Sequence, residues 1–430
     1  MNAEEKAARA EEASRELSSL SERERNRQLE KIAEAIATRR DEILEANRRD
    51  VEDAEEMLEK GEYSQVLVDR LKLDGKIRSL QEMVRGVAAQ EDVIGKTLDA
   101  TELAESLELF KVSTPLGVVA TIFESRPDAL IQIAALCLKS GNSVVLKGGS
   151  EASRSNRKLY ELIKEVTDVD GWIQLVETHE EVDQLLELED QIDLIVPRGS
   201  KSLIEHIQDN TSIQVLGHAE GICHVYIDSD ADLEKAVKIV VDAKTDYPAA
   251  CNAAETLLVH RESADMLQEI VAELDEHGVT IVAGNQAREI VDVEKAEEAD
   301  WSREYGDLKI SVKLVSSIQE AVEHVDLYGS GHTDAIITED EERANRFLSS
   351  VDSSSVMWNA STRFADGYRY GLGAEVGIST GKTHARGPVG LEGLTTYKYV
   401  LKGSGQKVSE FDEKDYTHRS INDIQEENIP

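Results

Sequence analysis

Residues Gly117–Gly149, GVVATIFESRPDALIQIAALCLKSGNSVVLKGG, decide the architecture of the chain. Two runs of apolar and β-branched residues, Val118–Phe123 and Ser143–Lys147, flank a segment with helical periodicity at Ala129–Lys139. Strands that are apolar throughout and joined by a helix are typical of a parallel sheet covered on both faces. This stretch therefore predicts a βαβ unit within an α/β fold.

The same alternation extends in both directions from this unit. Residues 3–60 predict amphipathic helices, with a capping box formed by Ser21 and Glu24. Further apolar runs predict strands at Ile173–Val176, Asp193–Pro197, Ile213–Leu216, Cys223–Ile227, Thr256–Val259, Val279–Ala283, Lys309–Val315, Asp334–Thr338 and Ser355–Trp358. Two such series in 430 residues predict two α/β domains, with a boundary near residue 245.

Composition restricts the class of partner. Acidic residues number 86 against 48 basic ones, so the formal net charge is −38. This field repels nucleic acid and anionic membranes, and we expect neither as a partner. The acidic residues are spread along the chain, as in proteins of a salt-rich cytoplasm. We favour this salt-adapted interpretation over that of an ordinary acidic mesophilic protein. Stability is then expected to fall as salt is removed.

The cysteines and the apolar segments indicate a cytoplasmic protein. Cys137, Cys223 and Cys251 are odd in number and lack metal-ligand spacing, so we expect neither a disulfide framework nor a zinc site. The charged, helical start lacks the apolar centre of a signal peptide, and no apolar run is long enough to span a bilayer. We read Cys137 and Cys223 as core residues.

A candidate nucleophile lies in Lys244–Thr256, KTDYPAACNAAET. Pro248 interrupts the preceding helix, and small residues on both sides of Cys251 leave room for a substrate. At the start of a following helix the thiol would also have a lowered pKa. Alternatively, a lone cysteine among alanines is a small buried hydrophobe.

Two strand ends carry possible phosphate-binding loops. The run ending at Lys147 continues into GGSEAS, and the run ending at Pro197 continues into RGSKS. Backbone N–H groups at the start of a following helix hold phosphate well, and Lys147 and Arg198 add positive charge. Neither loop has a dinucleotide or Walker fingerprint, so ordinary strand-to-helix turns remain the alternative.

Five motifs in order resemble the γ-glutamyl phosphate reductases, a branch of the aldehyde dehydrogenase superfamily. They are VSTPLGVVATIFESRPD (Val112–Asp128), YPAACNAAET (Tyr247–Thr256), YGSGHTDAIIT (Tyr328–Thr338), NASTRFADG (Asn359–Gly367) and HARGPVGLEGLTTYK (His384–Lys398). The resemblance spans nearly the whole chain.

The resemblance implies an aldehyde-dehydrogenase-like fold with a Rossmann-type cofactor domain, an α/β catalytic domain and a small β oligomerisation element. It assigns residues 1–96, 115–245 and 372–403 to NADPH binding and residues 246–371 to catalysis. Residues 97–114 and 404–418 would be an oligomerisation hairpin and strand. The implied reaction is NADPH-dependent reduction of L-glutamate 5-phosphate to the 5-semialdehyde, with phosphate release, in proline biosynthesis.

The resemblance also implies roles for single residues. Cys251 would be the nucleophile, with Asn252 a possible oxyanion donor, because Asp128 stands where the family usually has an asparagine. The remaining implied contacts are Lys147, Ser150, Gly199, Ser200 and Glu304 for NADPH, and Arg126, His332, Asn359, Ser361, Arg363 and Arg386 for the substrate. Serine at 150, where NAD-preferring relatives often carry glutamate, favours NADPH. No metal is implied.

Three further expectations concern partners and rival functions. The resemblance implies a homo-oligomer, a dimer or tetramer, with a possible transient contact to a glutamate 5-kinase. The region Leu216–Asp228 lacks the water-activating glutamate pattern of oxidising relatives, and Glu220 is read there as a surface residue. The rivals are an NAD(P)-dependent oxidase of another acidic semialdehyde and a non-catalytic binding protein of the same fold.

Overall fold

The computed structural model describes residues 1–412 and 416–421, which form helices and mostly parallel sheets. The helices are α1 (Ala3–Ser19), α2 (Glu22–Thr38), α3 (Arg40–Glu59), α4 (Gln65–Leu71), α5 (Ile77–Ala89), α6 (Pro127–Lys139), α7 (Ser153–Val166), α8 (His179–Leu186), α9 (Lys201–Asp209), α10 (Leu233–Thr245), α11 (Leu267–Glu276), α12 (Ile318–Tyr328) and α13 (Glu341–Ser350).

The strands follow the same alternation. They are β1 (Thr97–Ala104), β2 (Leu107–Pro115), β3 (Val118–Phe123), β4 (Ser143–Gly148), β5 (Ile173–Leu175), β6 (Leu194–Arg198), β7 (Cys223–Ile227), β8 (Ala254–His260), β9 (Thr280–Ala283), β10 (Glu294–Lys295), β11 (Lys309–Val315), β12 (Thr333–Ile337), β13 (Ser355–Trp358), β14 (Gly377–Ser379), β15 (Gly387–Val389), β16 (Thr395–Lys402) and β17 (Arg419–Ser420).

The first unit contains a four-stranded parallel sheet in the order β5-β4-β3-β6. Every residue of β3 and β4 is buried, which confirms the predicted βαβ unit with a covered sheet. Ala3, Ala7 and Ala10 of α1 belong to the same core cluster as β3, because alanine lets the helix approach the sheet closely. The strand predicted at Ile213–Leu216 is wrong: only a single bridge joins Val215 to Ile195.

The predicted capping box is confirmed at the start of α2. The Ser21 backbone N–H donates to Glu24 Oε2 at 2.8 Å, and the Glu24 backbone N–H donates to Ser21 Oγ at 3.4 Å. Both groups would otherwise lack a partner at the first turn of the helix.

The second unit contains a seven-stranded parallel sheet in the order β10-β9-β11-β8-β7-β12-β13. Its strands β7, β8 and β12 are buried along their whole length. Helices α10 and α11 contribute to the apolar core on one face, and α12 and α13 contribute to the core on the other.

The boundary between the units corrects the predicted one. The first unit comprises Met1–Val215, Leu372–Val376 and the described residues from Val389 onward, and the second comprises Leu216–Gly371 and Gly377–Pro388. The predicted boundary near residue 245 is wrong because β7 pairs with β8 and β12, so residues 216–245 belong to the second sheet. What each unit binds stays a prediction.

A separate antiparallel sheet has the order β16-β2-β1-β17. Strands β1 and β2 confirm the predicted hairpin over residues 97–114. The predicted strand at 404–418 is not present in its described part; β16 and β17 flank that segment instead. Residues 413–415 of that prediction lie outside the described residues.

Among the helices of the described residues, none is both long enough and apolar enough to cross a lipid bilayer.

A buried histidine marks the side of the second sheet covered by α12. His324 is 3% exposed, its Nδ1 lies 3.0 Å from Lys313 Nζ, and its ring contacts those of His224, Trp301 and Tyr328. Burial, and then the electrostatic effects of His224 and Lys313, lower the pKa of His324 to about 2. The folded protein therefore keeps this ring neutral.

This histidine predicts an acid-dependent loss of stability. Below about pH 6.5 His324 becomes protonated in the unfolded chain but stays neutral in the folded protein. The free energy of unfolding therefore falls by up to about 1.4 kcal/mol for each unit by which the pH is lowered. We expect His324→Gln to have a shallower acid slope than wild type, measured by urea unfolding from pH 8 to pH 5 at constant salt.

The matched control is His277→Gln, since His277 is an exposed histidine at the end of α11. Its acid slope should equal that of wild type. Equal slopes for His324→Gln and wild type would contradict the assignment.

Candidate active site

Cys251 lies in a tight turn between α10 and β8. The preceding helix ends at Thr245, before Pro248 as predicted, and the turn is closed by backbone hydrogen bonds from Ala250 to Tyr247 and from Ala253 to Ala250. The sulfur belongs to a free, half-buried cysteine. A strand follows the turn, so the helix start considered for lowering the thiol pKa is not present there.

A buried ion pair anchors both ends of this turn. Lys244 Nζ, at the end of α10, lies 2.8 Å from Glu255 Oε2 in β8, and both side chains are fully buried. The Gly306 backbone N–H also donates to Glu255 Oε1, at 3.2 Å. Burial raises the pKa of Glu255 to about 7 and lowers the pKa of Lys244, while each charge favours the ionised form of the other.

The carbonyl of Cys251 packs against Gly221, which precedes β7, and against Cys223, the first residue of β7. A Cβ on Gly221 would lie 2.0 Å from Cys251 O, so only glycine fits there. The Cys223 thiol donates to the same carbonyl at 3.2 Å. The Gly221 backbone N–H donates to Glu304, whose pKa is raised mainly by burial. The structure thus brings Glu304 close to the turn that carries Cys251. Its predicted contact with the nicotinamide ribose stays a prediction.

Of the three thiols, only that of Cys251 is accessible. Cys137 and Cys223 are fully buried, which confirms that both are core residues, and burial raises the pKa of each thiol far above its ordinary value. Protonated buried thiols are unreactive.

Two histidines adjoin the Cys251 sulfur. The ligating atoms of His218, Cys251 and His332 lie within 4.8 Å of one another, and the two rings meet edge to face at a centroid distance of 4.8 Å. His332, which was considered as a loop residue, is fully buried immediately before β12. Its contact with the substrate phosphate therefore stays a prediction.

Asn252 and Arg363 contact each other in the second unit. Asn252 is 3% exposed; its Nδ2 donates to Ala365 O at 2.9 Å, and its Oδ1 accepts from Arg363. Arg363 Nε lies 3.1 Å from Asp246 Oδ2, and Ser361 Oγ accepts from the Arg363 backbone N–H. These side chains hold the chain next to the nucleophile turn, and their predicted contacts with oxyanion or substrate stay predictions.

The other two predicted substrate residues of this unit also have protein partners. Asn359 has a φ of +50° and bridges the Thr338 backbone, donating to its carbonyl at 2.9 Å and accepting from its N–H at 3.0 Å. Arg386 Nη1 lies 2.7 Å from Asp352 Oδ1, and Lys382 pairs with the same carboxylate. Arg386 also lies beside Gly331, the neighbour of His332.

In the first unit, Lys147 and Ser150 lie at the end of β4. Lys147 is 7% exposed, and Ser150 begins a 3₁₀ turn that leads into α7. Ser150 also lines a cavity of about 410 Å³ together with Arg154 and Arg157. In this cavity Arg154 pairs with Asp53 at 2.7 Å.

Gly199 and Ser200 begin α9 after β6. The Ser200 backbone N–H donates to Glu124 Oε2 at 2.8 Å, so a carboxylate already occupies this helix start. A Cβ on Gly199 would lie 2.5 Å from the same oxygen. The predicted substrate residue Arg126 precedes α6 in this unit, half-buried.

Sequence reasoning overlooked His218 and Gly221. Both lie in Leu216–Asp228, the segment inspected for a water-activating glutamate, where only Glu220 was considered. His218 and Gly221 are far from Cys251 in sequence, and they approach it only in the folded chain. No local spacing in the sequence therefore indicates that they lie beside the sulfur. Glu220 is half-buried rather than exposed.

Known proteins with similar sequences belong to the family that the motifs of this chain resemble. The aldehyde dehydrogenase family model matches residues 1–294. The γ-glutamyl phosphate reductase of Natronomonas pharaonis is 57% identical over 421 residues, covering 96% of each chain, and that of Haloquadratum walsbyi is 54% identical over 436 residues, covering 98% of this chain and 96% of that one.

Solved structures agree with the sequence matches. The crystal structure of γ-glutamyl phosphate reductase from Thermotoga maritima superposes with a TM-score of 0.91 at 41% identity, covering 95% of this chain and 100% of that one. An acetylating aldehyde dehydrogenase from Geobacillus thermoglucosidasius, 20% identical, has a TM-score of 0.67 over 94% of this chain and 97% of that one, which shows a shared fold. The predicted fold class is confirmed.

The close approach of Gly221 to Cys251 predicts a specific steric defect. Gly221→Ala must displace the Cys251 carbonyl, and we expect alkylation of the Cys251 thiol by iodoacetamide to slow by about tenfold, the size of effect of a 1.4 kcal/mol change in barrier. Mass spectrometry of the labelled peptide measures this rate.

The control is Gly284→Ala in the same unit, because a Cβ there meets its nearest neighbour, Trp301, at an ordinary 3.7 Å. It should label at the wild-type rate. A Gly221→Ala protein that labels as fast as Gly284→Ala would refute the steric argument.

Proposed function

The chain belongs to the γ-glutamyl phosphate reductases of the aldehyde dehydrogenase family, and on that premise we propose that it reduces L-glutamate 5-phosphate to L-glutamate 5-semialdehyde with release of phosphate, in proline biosynthesis. The observation that carries the proposal is the free, half-buried Cys251 in an anchored turn. The three cysteines are all free thiols, which supports a reducing cytoplasmic location.

The reaction begins with acyl transfer to sulfur. The Cys251 thiolate attacks the γ-carbonyl carbon, the C–S bond forms, and the C–O bond to phosphorus breaks as phosphate leaves. The backbone N–H of Cys251 is the proposed donor to the oxyanion. The Asn252 amide, which gives one of its two N–H groups to Ala365 O, is the proposed second donor, because a carboxylate at Asp128 cannot donate.

Reduction completes the cycle. When bound, NADPH supplies a hydride. The thioester carbon of acylated Cys251 would accept the hydride and its oxygen a proton, which gives a thiohemiacetal. As its C–S bond breaks, the hydroxyl proton is lost to solvent, and aldehyde and the Cys251 thiolate are released. The region Leu216–Asp228 lacks the water-activating glutamate pattern of oxidising relatives, and a thioester that is not attacked by activated water is left for reduction.

NADPH would be held by the residues that the resemblance selects: Lys147, Ser150, Gly199, Ser200 and Glu304. The contact from Ser200 N–H to the Glu124 carboxylate supports this fit, since a pyrophosphate oxygen can replace a carboxylate oxygen at a helix start. The cavity at Ser150 supports the phosphorylated cofactor. Arg154 and Arg157 line it, and arginine forks suit a 2′-phosphate.

The substrate has two anionic ends, and arginines suit both of them. Arg363 and Arg386 are the proposed partners of the carboxylate and phosphate, with Ser361 and Asn359 shaping their loops and Arg126 as a further candidate. Each of these two arginines of the second unit pairs with an aspartate: Arg363 with Asp246 at 3.1 Å and Arg386 with Asp352 at 2.7 Å. Binding would therefore exchange an internal carboxylate for one from the substrate.

We also propose that two copies of the chain associate through the antiparallel sheet. Tyr397, Tyr399 and Leu401 alternate along the edge strand β16, so they share one face, and they are 47%, 62% and 56% exposed. A row of exposed aromatic and aliphatic side chains on an edge strand suits a protein interface. A transient contact with a glutamate 5-kinase stays a prediction.

The reverse reaction tests the function. With glutamate 5-semialdehyde, we expect NADP⁺ reduction to require inorganic phosphate, because phosphate must cleave the thioester. Cys251→Ser should lower this rate by at least roughly a thousandfold, as loss of a covalent nucleophile does. The assay follows absorbance of the reduced nicotinamide with and without phosphate.

The same assay separates the rivals. Turnover that needs no phosphate would indicate an oxidase of semialdehydes, and Cys251→Ser at the wild-type rate would exclude covalent catalysis. For the cofactor, Arg157→Gln should raise KM for NADP⁺ roughly tenfold and leave KM for NAD⁺ unchanged. The matched control is Arg78→Gln, because Arg78 is an exposed arginine that pairs with Glu82 on the same helix, α5.

A further inference from the structure

We propose that His218, Cys251 and His332 form a zinc site, at which zinc binds reversibly and holds the nucleophile in an inactive state. The binding stands on geometry alone, whereas the inhibition rests on the proposed function. The ligating atoms of these three residues lie within 4.8 Å of one another. They come from the segment before β7, the turn before β8 and the residue before β12.

In each histidine Nδ1 has a protein partner, which leaves Nε2 as the nitrogen that could bind a metal. His218 Nδ1 lies 2.9 Å from the Ile378 carbonyl oxygen, so Nδ1 carries the proton and Nε2 keeps its lone pair. A ligating histidine commonly donates its other ring N–H to a backbone carbonyl in this way, which sets its tautomer and orientation.

His332 provides the second, independent observation. The ring is fully buried and its Nδ1 lies 2.8 Å from Thr333 Oγ1, yet its Nε2 has no hydrogen-bond partner within the described part of the chain. A buried ring nitrogen without a partner is unfavourable. His332 Nδ1 also lies 3.8 Å from Cys223 Sγ. In the tautomer whose Nδ1–H donates to Thr333 Oγ1, Nε2 is a bare lone pair, which a cation would satisfy.

The donor set matches zinc chemically. One thiolate and two neutral imidazoles are ligands that Zn²⁺ prefers, and three protein ligands leave a fourth position for water. At usual zinc–ligand distances the ligand atoms would be about 3.3–3.8 Å apart, so the cluster must contract slightly. Cys251 lies in a turn and can supply that movement.

Binding exchanges a proton for a metal ion. The Cys251 S–H bond breaks, the proton goes to solvent, and an S–Zn bond forms without any change in oxidation state. The sulfur lone pair is then unavailable for attack on an acyl phosphate. A chelator reverses the exchange, so the site would couple turnover to free zinc.

Cobalt provides a test that does not depend on activity. Added to the full-length protein, Co²⁺ should bind one equivalent per chain and give a thiolate-to-cobalt charge-transfer band in the near ultraviolet. Cys251→Ser should abolish that band, and His218→Ala should weaken binding by at least about tenfold, the scale seen even for lost outer-shell partners. His277→Gln, an exposed histidine on α11, should bind as wild type does.

A substitution of the buried His332 itself could prevent folding, so Thr333→Val tests the contribution of His332 instead. Valine keeps the shape but removes the acceptor at His332 Nδ1, so cobalt affinity should fall about tenfold to a hundredfold. Binding that is unchanged in both His218→Ala and Thr333→Val would overturn the site. A band that persists in Cys251→Ser would also overturn it.

Zinc inhibition is measured separately from cobalt binding. Stoichiometric Zn²⁺ should stop phosphate-dependent NADP⁺ reduction and iodoacetamide labelling of Cys251, and EDTA should restore both. Cobalt binding without any wild-type turnover would leave the site standing and refute the proposed function. Full turnover in zinc-saturated protein would refute the inhibition.

Discussion

The buried ion pair between Lys244 and Glu255 is the constraint on which the turn that carries Cys251 depends. It joins the end of α10 to β8 across the turn, at 2.8 Å and fully out of water. Such a pair contributes little net stability over an apolar pair, yet removing one partner leaves a buried charge at a cost of about 3–5 kcal/mol. Its function here is therefore positioning, because it fixes the two ends of the turn that carries Cys251.

Three groups of this acidic chain that are proposed to bind ligand anions contact carboxylates of the protein itself. Arg363 pairs with Asp246, Arg386 with Asp352, and the start of α9 with Glu124. Each of these groups suits a phosphate or carboxylate, and each already contacts a carboxylate of the protein. Ligand binding in this family member would then replace one anion by another, which avoids exposing an unpaired positive charge in the free enzyme.

The strands show how far local pattern reaches. Val118–Phe123 was predicted with its exact observed ends, and Ser143–Lys147 to within one residue, because strands buried on both faces are continuous apolar runs. Ile213–Leu216 has the same texture and is not a strand. Pairing with a neighbour along its length decides that outcome, and here only one bridge to Ile195 forms. The unit boundary near 245 failed for the related reason that β7 pairs within the second sheet.

Sequence by itself determined the α/β class and the family resemblance and singled out Cys251 as the candidate nucleophile, since each of these is carried by residues close together in the chain. Tertiary structure alone decided what surrounds the sulfur: His218, His332, Gly221 and the Lys244–Glu255 pair approach Cys251 only after β7, β8 and β12 are aligned in parallel. The physical reason is that parallel strands bring together the ends of segments far apart in sequence, and contacts made there leave no periodicity or spacing to detect.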